Sequence, residues 1–215
     1  MHAVIFDLDG TVLDNESEWE EAFQTVANKY KISKPEFLMP NSWWHEPGIG
    51  LSTNWRRMTD KVVVDKLVSE TVEVYKDLNK SIHPREGMKE VVEKIKKRGW
   101  RTALSTSSTW SVVEIELEEL GLELAFDITT TGEEVLVPKP DPEIYLLTAQ
   151  KLETDPENCL VVEDAIAGVR AAKEAGCRVV GLISEYAVKT TLEAAGADYT
   201  IDNMNVLSAL IDKLE

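Results

Sequence analysis

The sequence predicts an α/β protein: a Rossmann-like parallel sheet with helices on both faces and an α-helical cap inserted after its first strand. Three observations predict it. From about residue 86 onward, helical and strand-like stretches alternate regularly, as they do when a parallel sheet is built from crossover units. The apolar run Ala3-Val4-Ile5-Phe6 has the length of a buried strand and ends abruptly in Asp7-Leu8-Asp9-Gly10-Thr11. Between that strand and the alternating region lie about seventy mostly helical residues, too long a connection for a simple crossover in a compact domain. Residues 15–82 therefore read as a cap, and residues 1–14 with 83–215 as a discontinuous core hinged near Asp14 and His83-Pro84.

After the first strand, Asp14, Asn15 and Ser17 are turn and N-cap formers. A helix over 16–30 follows, with Trp19, Ala22, Phe23, Val26 and Tyr30 at helical spacing. Residues 33–53, with three prolines, two glycines and Trp43-Trp44-His45, read as irregular; 54–79 read as one long helix or a pair. The alternation then gives helices near 86–98, 109–120, 141–152, 165–175, 187–195 and from about 206. Strands are expected at 101–106, 126–130, 159–162, 178–182 and 199–201.

Composition sets limits. No apolar run approaches the ~20 residues that cross a bilayer, and Met1 leads directly into a strand, so neither a membrane span nor a signal peptide is expected. Cys159 and Cys177 sit in apolar settings and read as reduced core thiols, which favours the cytoplasm. The formal charge of −16 argues against nucleic-acid partners. An anionic substrate would need that acidic field reversed locally, by a cation or a placed lysine.

Four expected strand ends are polar. They are Asp7-x-Asp9-Gly10-Thr11, the hydroxyl run Ser105-Thr106-Ser107-Ser108, Lys139 between Pro138 and Pro140, and Glu163-Asp164. Each alone fits a turn, a helix cap or a solvated loop. Together, at one edge of one parallel sheet, they set two acids, hydroxyls, a lysine and two more acids around one crevice. Phosphoryl transfer through an aspartyl phosphate needs this set. A carboxylate nucleophile splits hydrolysis into two displacements, and Mg²⁺ with oxygen ligands cancels its repulsion with the phosphate. Lys139 and the Thr106 hydroxyl would hold phosphate oxygens, assisted by the backbone N–H groups of Ser107 and Ser108. The second Asp would move the proton.

These motifs, in this order over essentially the whole chain, resemble the haloacid dehalogenase-like hydrolase superfamily, in particular the phosphatase and β-phosphoglucomutase branch with a small helical cap. The matching stretches are Asp7-Leu8-Asp9-Gly10-Thr11, Thr106, Lys139-Pro140-Asp141-Pro142-Glu143-Ile144-Tyr145 and Glu163-Asp164-Ala165-Ile166-Ala167-Gly168-Val169. The resemblance implies Asp7 as nucleophile and metal ligand, and Asp9 as general acid/base with its backbone carbonyl on Mg²⁺. It implies Asp164 as a further ligand and Glu163 as a ligand or its partner. The family's dehalogenases lack an acid at the position of Asp9, so its presence points to phosphate chemistry.

The expected substrate is a small phosphorylated metabolite, such as a sugar phosphate or phosphoglycolate. A β-phosphoglucomutase-like mutase is an alternative. It is disfavoured because Gly50-Leu51-Ser52-Thr53 stands where the mutase relatives carry a phosphate-gripping arginine. A module phosphorylated on Asp7 without turnover is a weaker alternative. The cap tryptophans read first as the cap's own core; in the functional alternative Trp43, Trp44 and His45 line the entrance as candidate specificity residues.

Overall fold

The strands are β1 (Ala3–Phe6), β2 (Arg101–Ser105), β3 (Ile128–Thr130), β4 (Cys159–Glu163), β5 (Arg178–Leu182) and β6 (Tyr199–Ile201). In the computed structural model, which describes residues 2–34, 44–78 and 83–214, they form one sheet in the order β3-β2-β1-β4-β5-β6. Every pairing is parallel. All residues of β1 and β4 are buried, because a parallel sheet is covered on both faces and its central strands must be apolar throughout.

Alternation along the strands divides the core into two layers. Val4, Phe6, Leu104, Leu160, Val162 and Val180 face helices α4 (Met88–Lys97), α5 (Trp110–Leu120) and α9 (Met204–Ile211). Ala3, Ile5, Ala103, Val161 and Val179 face α6 (Glu143–Lys151), α7 (Ile166–Glu174) and α8 (Lys189–Ala195). Cys159 and Cys177 are buried free thiols in this second layer.

Strand β1 lies between β2 and β4, the place where the strand order reverses and where open α/β sheets bind ligands. Phe6 is level with Leu104 on one side and Val162 on the other. The polar residues that follow these three strands therefore emerge together.

The chain leaves β1, makes a tight turn over 8–12, and passes Pro84 at Leu13 in an antiparallel bridge. Between these passages lie α1 (Glu16–Tyr30), α2 (Leu51–Met58) and α3 (Val64–Leu78). The stretch expected as one helix or a pair is a pair, and α2 begins at Leu51, inside the segment read as irregular. Helix α1 packs on α3, and Phe23, Val26, Ala27, Trp55 and Leu67 form a small apolar cluster of their own. The Trp55 indole donates to Thr71 Oγ1 at 3.0 Å, which satisfies its one polar atom in that cluster.

The tryptophans divide by packing. Trp55 lies inside this cluster and Trp44 packs against it. Trp19 instead joins the core beneath the sheet's polar edge, its ring stacked on Tyr75 with centroids 3.6 Å apart and planes 2° from parallel. Trp43 lies outside the described residues. No helix among the described residues is long and apolar enough to cross a membrane.

Candidate active site

Asp7 is the first residue past β1, and its N–H still donates to Val162 O at 3.0 Å. The ladder thus fixes the backbone from which its carboxylate projects. The following turn needs Gly10: φ is +75°, and a Cβ there would lie 2.1 Å from Asp164 Oδ2. Arg85 pins the turn by donating to Gly10 O at 2.6 Å and Thr11 O at 3.3 Å.

Lys139 enters from the loop before α6 and is buried. Its ammonium donates to Asp7 Oδ1 at 2.5 Å, Glu163 Oε1 at 2.6 Å and Ser105 O at 3.3 Å. The Tyr145 ring centroid lies 5.1 Å from the ammonium, and the Tyr145 hydroxyl donates to Glu163 Oε1 at 2.6 Å. Helix α7 closes on Glu163 so tightly that a Cβ at Gly168 would sit 1.7 Å from Oε1. Only glycine fits there without displacing the carboxylate.

Asp7, Glu163 and Asp164 each offer a carboxylate oxygen, all within 4.8 Å of one another. Burial pushes the Asp7 carboxyl well above its usual range, Glu163 and Asp9 add to this, and the Lys139 ammonium opposes it. Asp164 is likewise pushed up, by burial first and then by Glu16, Glu163 and Asp7. Its Oδ1 accepts from Thr11 Oγ1 at 3.2 Å, while its buried Oδ2 has no partner among the described residues. Three hard oxygen donors, mutual repulsion and one orphaned carboxylate oxygen fit a divalent cation such as Mg²⁺.

Asp9 is half-buried and accepts three hydrogen bonds, each 2.7 Å long: at Oδ1 from Asn15 Nδ2 and Trp19 Nε1, and at Oδ2 from Ser108 Oγ. Asn15 stands at the N-cap position of α1, but its side chain is spent elsewhere: Oδ1 accepts from Gly10 N at 3.0 Å, and Nδ2 serves Asp9. Thr106 is buried and its Oγ1 accepts from Ser108 N at 3.0 Å. Ser107 Oγ donates to Gly48 O at 2.8 Å, tying the β2 end to the loop before α2.

Asp7, Asp9, Thr106, Ser107 and Ser108 line a narrow crevice together with Glu16 and His45. A wider chamber of about 260 Å³ adjoins it past Trp19 and Leu51; Lys139 and Arg56 are the cationic side chains among its described walls. The structure therefore brings Asp7, Asp9, Thr106, Ser107, Lys139, Glu163, Asp164 and His45 to one place. Trp44 lines neither of these two cavities: Glu20 holds its backbone N–H and its side chain packs on the Phe23–Trp55 cluster, as the cap-core reading of the tryptophans has it.

His45 stacks on Phe23 with centroids 5.0 Å apart, and its ring nitrogens meet Glu16 Oε2 at 2.8 Å and Glu20 Oε2 at 3.1 Å. Burial alone would lower its pKa, but the two carboxylates prevail and lift it from 6.5 to about 9. A raised pKa adds stability that is complete below 6.5 and is lost as pH rises through about 9. Thermal melts between pH 7 and 10 are expected to show the wild type losing more stability than His45→Gln. Equal slopes would contradict the clamp.

The haloacid dehalogenase-like hydrolase model matches residues 4–182, which takes in most of β1, the polar ends of β1, β2 and β4, and the Lys139 loop. The chain belongs to this family. A phosphorylated carbohydrates phosphatase of Thermotoga maritima is 32% identical over 219 residues, covering all of both chains. The structure of a candidate β-phosphoglucomutase from T. maritima is also 32% identical over all of both chains, with a TM-score of 0.74. A Pseudomonas syringae hydrolase structure superposes with a TM-score of 0.86 at 25% identity, again over the full length of both chains.

The chain is thus a phosphatase-type haloacid dehalogenase-like hydrolase of the phosphatase and β-phosphoglucomutase branch. Around its site are residues that sequence reasoning did not single out: Asn15 and Trp19 on Asp9, Glu16 beside Asp164, and Tyr145 on Glu163. Trp19 carried the apolar periodicity of a core residue, and Asn15 that of a cap. Two carried a usable signal: Glu16, as an acid on the first turn after the motif, and Tyr145, as the last residue of the Lys139–Tyr145 stretch.

Proposed function

We propose that the chain is a Mg²⁺-dependent phosphomonoester hydrolase acting on a small phosphorylated carbohydrate through an aspartyl phosphate on Asp7. The observation that carries this reading is the buried contact of Asp7 with Lys139 inside the carboxylate triad, 2.7 Å hydrogen bonds holding Asp9 nearby. Residues 15–82 act as the cap and residues 1–14 with 83–215 as the core. Mg²⁺, held by Asp7, Asp164, Glu163 and the Asp9 carbonyl, supplies the positive charge that an anionic substrate needs on a chain of formal charge −16.

The remaining chemistry belongs to side chains. Asp7 attacks phosphorus, the bond to the leaving oxygen breaks, and Asp9 gives that oxygen its proton. Asp9 then takes a proton from water as the water attacks the acyl phosphate, which frees phosphate and restores Asp7. Lys139 neutralises Asp7, and Thr106 and Ser107 hold phosphate oxygens. The chamber of about 260 Å³ beyond Trp19 takes the sugar, and His45 shapes its approach. The buried free thiols suit a cytoplasmic enzyme.

A screen of sugar phosphates, phosphoglycolate and nucleotides, reading phosphate release, tests the proposal. Sugar phosphates are expected to be turned over best. Chelation should reduce turnover to background, and Mg²⁺ should restore it. Release that persists after thorough chelation would sink the metal-dependent reading. Isomer formed from a bisphosphate-primed sugar phosphate would favour the mutase.

A further inference from the structure

Asp9 is held at Oδ1 by two donors, Asn15 and Trp19, and one residue of α3 stands behind both. Tyr75 is fully buried, its hydroxyl accepts from Asn15 Nδ2 at 2.7 Å, and its ring stacks face to face on Trp19 at 3.6 Å. The same hydroxyl donates to Glu116 Oε1 on α5, a helix packed against the sheet. Glu116 is itself buried, and its Oε2 has no partner among the described residues.

Four polar groups are thus threaded through an apolar layer that includes Leu13, Val112 and Val113. Such a network costs more than an apolar filling of the same volume unless its fixed geometry serves a purpose. This one begins on a core helix, crosses to α3, and ends on the side chain that moves the proton.

We propose that Tyr75, held by Glu116, is a positioning residue that sets the Asp9 carboxylate through Asn15 and Trp19. The proposal rests on the phosphatase reading, in which Asp9 protonates the leaving oxygen. Because Tyr75 belongs to the cap and Glu116 to the core, Asp9 is fully supported only when the two lobes are docked as they are here. Burial, with Asp9 adding to it, pushes the Glu116 carboxyl well above its usual range, so its neutral form suffices as the acceptor. An amide in its place keeps that acceptor.

The test uses leaving-group dependence, which a merely structural role would not move. The full-length protein with Mg²⁺ is assayed for kcat/KM on an alkyl phosphate, such as a sugar phosphate, and on dinitrophenyl phosphate, whose leaving group departs without a proton. Tyr75→Phe is expected to lose roughly ten- to a hundredfold on the alkyl ester and less than about threefold on the aryl ester. Glu116→Ala should behave likewise, and Glu116→Gln should recover most of the difference. Equal losses on both esters, or no loss on either, would overturn the positioning role; the Glu116 pair decides the matter if Tyr75→Phe does not fold. A wild type inactive on both esters would instead overturn the phosphatase reading itself.

Discussion

Asp7→Asn is expected to abolish phosphate release, by on the order of 10⁴-fold or more, while leaving the fold intact. The amide keeps the shape of the carboxylate but is no nucleophile. Stability should move the other way. Asp7 is a buried acid whose carboxyl is pushed up by burial and by Glu163 and Asp9, so neutralising it relieves repulsion. Lys139 keeps its 2.6 Å contact with Glu163. In metal-free buffer the variant should therefore melt no lower than the wild type. Acid quench during turnover should trap labelled phosphate on the wild-type chain and none on Asp7→Asn. Comparable phosphate release from the two proteins would remove Asp7 as the nucleophile.

Lys139→Met should damage both activity and stability. The lysine is the one cation in contact with the buried carboxylates of Asp7 and Glu163 among the described residues. Removing it strands two acids in an apolar setting, at a cost of about 3–5 kcal/mol, or a fall in melting temperature on the order of 10 °C. Turnover should fall at least ~100-fold, since the nucleophile loses its counter-ion and the phosphate its nearest fixed charge. The stability deficit has a definite pH dependence. Without the ammonium, nothing opposes the burial that already pushes the Asp7 carboxyl above its usual range, so its pKa rises further. The stranded carboxylates are then relieved by protonation, and the deficit narrows as pH falls. A constant deficit from pH 5 to 8, measured by thermal melts in chelator, would show that Lys139 is not their counter-ion.

Much of the site was legible because strand chemistry is local. A central parallel strand is apolar along its buried length, so Ala3–Phe6 and Cys159–Val162 announce themselves, and the abrupt acids at Asp7 and Glu163-Asp164 mark the sheet's polar edge. Lys139 between two prolines reads alone as a solvated loop charge and gains meaning only beside the other polar stretches. The support of Asp9 was not legible. Asn15 and Tyr75 are 60 residues apart, and Tyr75 and Glu116 are 41 apart. Each lies at an unremarkable position of its own helix. Trp44 packs against the Phe23–Trp55 cluster, in line with the reading that cap tryptophans form the cap's own core, and only the packing of α1 on α3 shows which aromatics do so.

Lys139, expected at a strand end, comes instead from the loop between β3 and α6. The amino-acid order by itself determined the parallel sheet, the interruption after its first strand, and which carboxylates and hydroxyls end its strands. These follow from periodicity and from the cost of burying polar groups without partners. Tertiary structure alone decided how α1 and α3 meet the core, and hence that Trp19, Asn15 and Tyr75 converge on Asp9 while His45 is clamped between Glu16 and Glu20. Contacts between distant helices depend on how their surfaces interlock in space, and no spacing within either helix encodes that meeting.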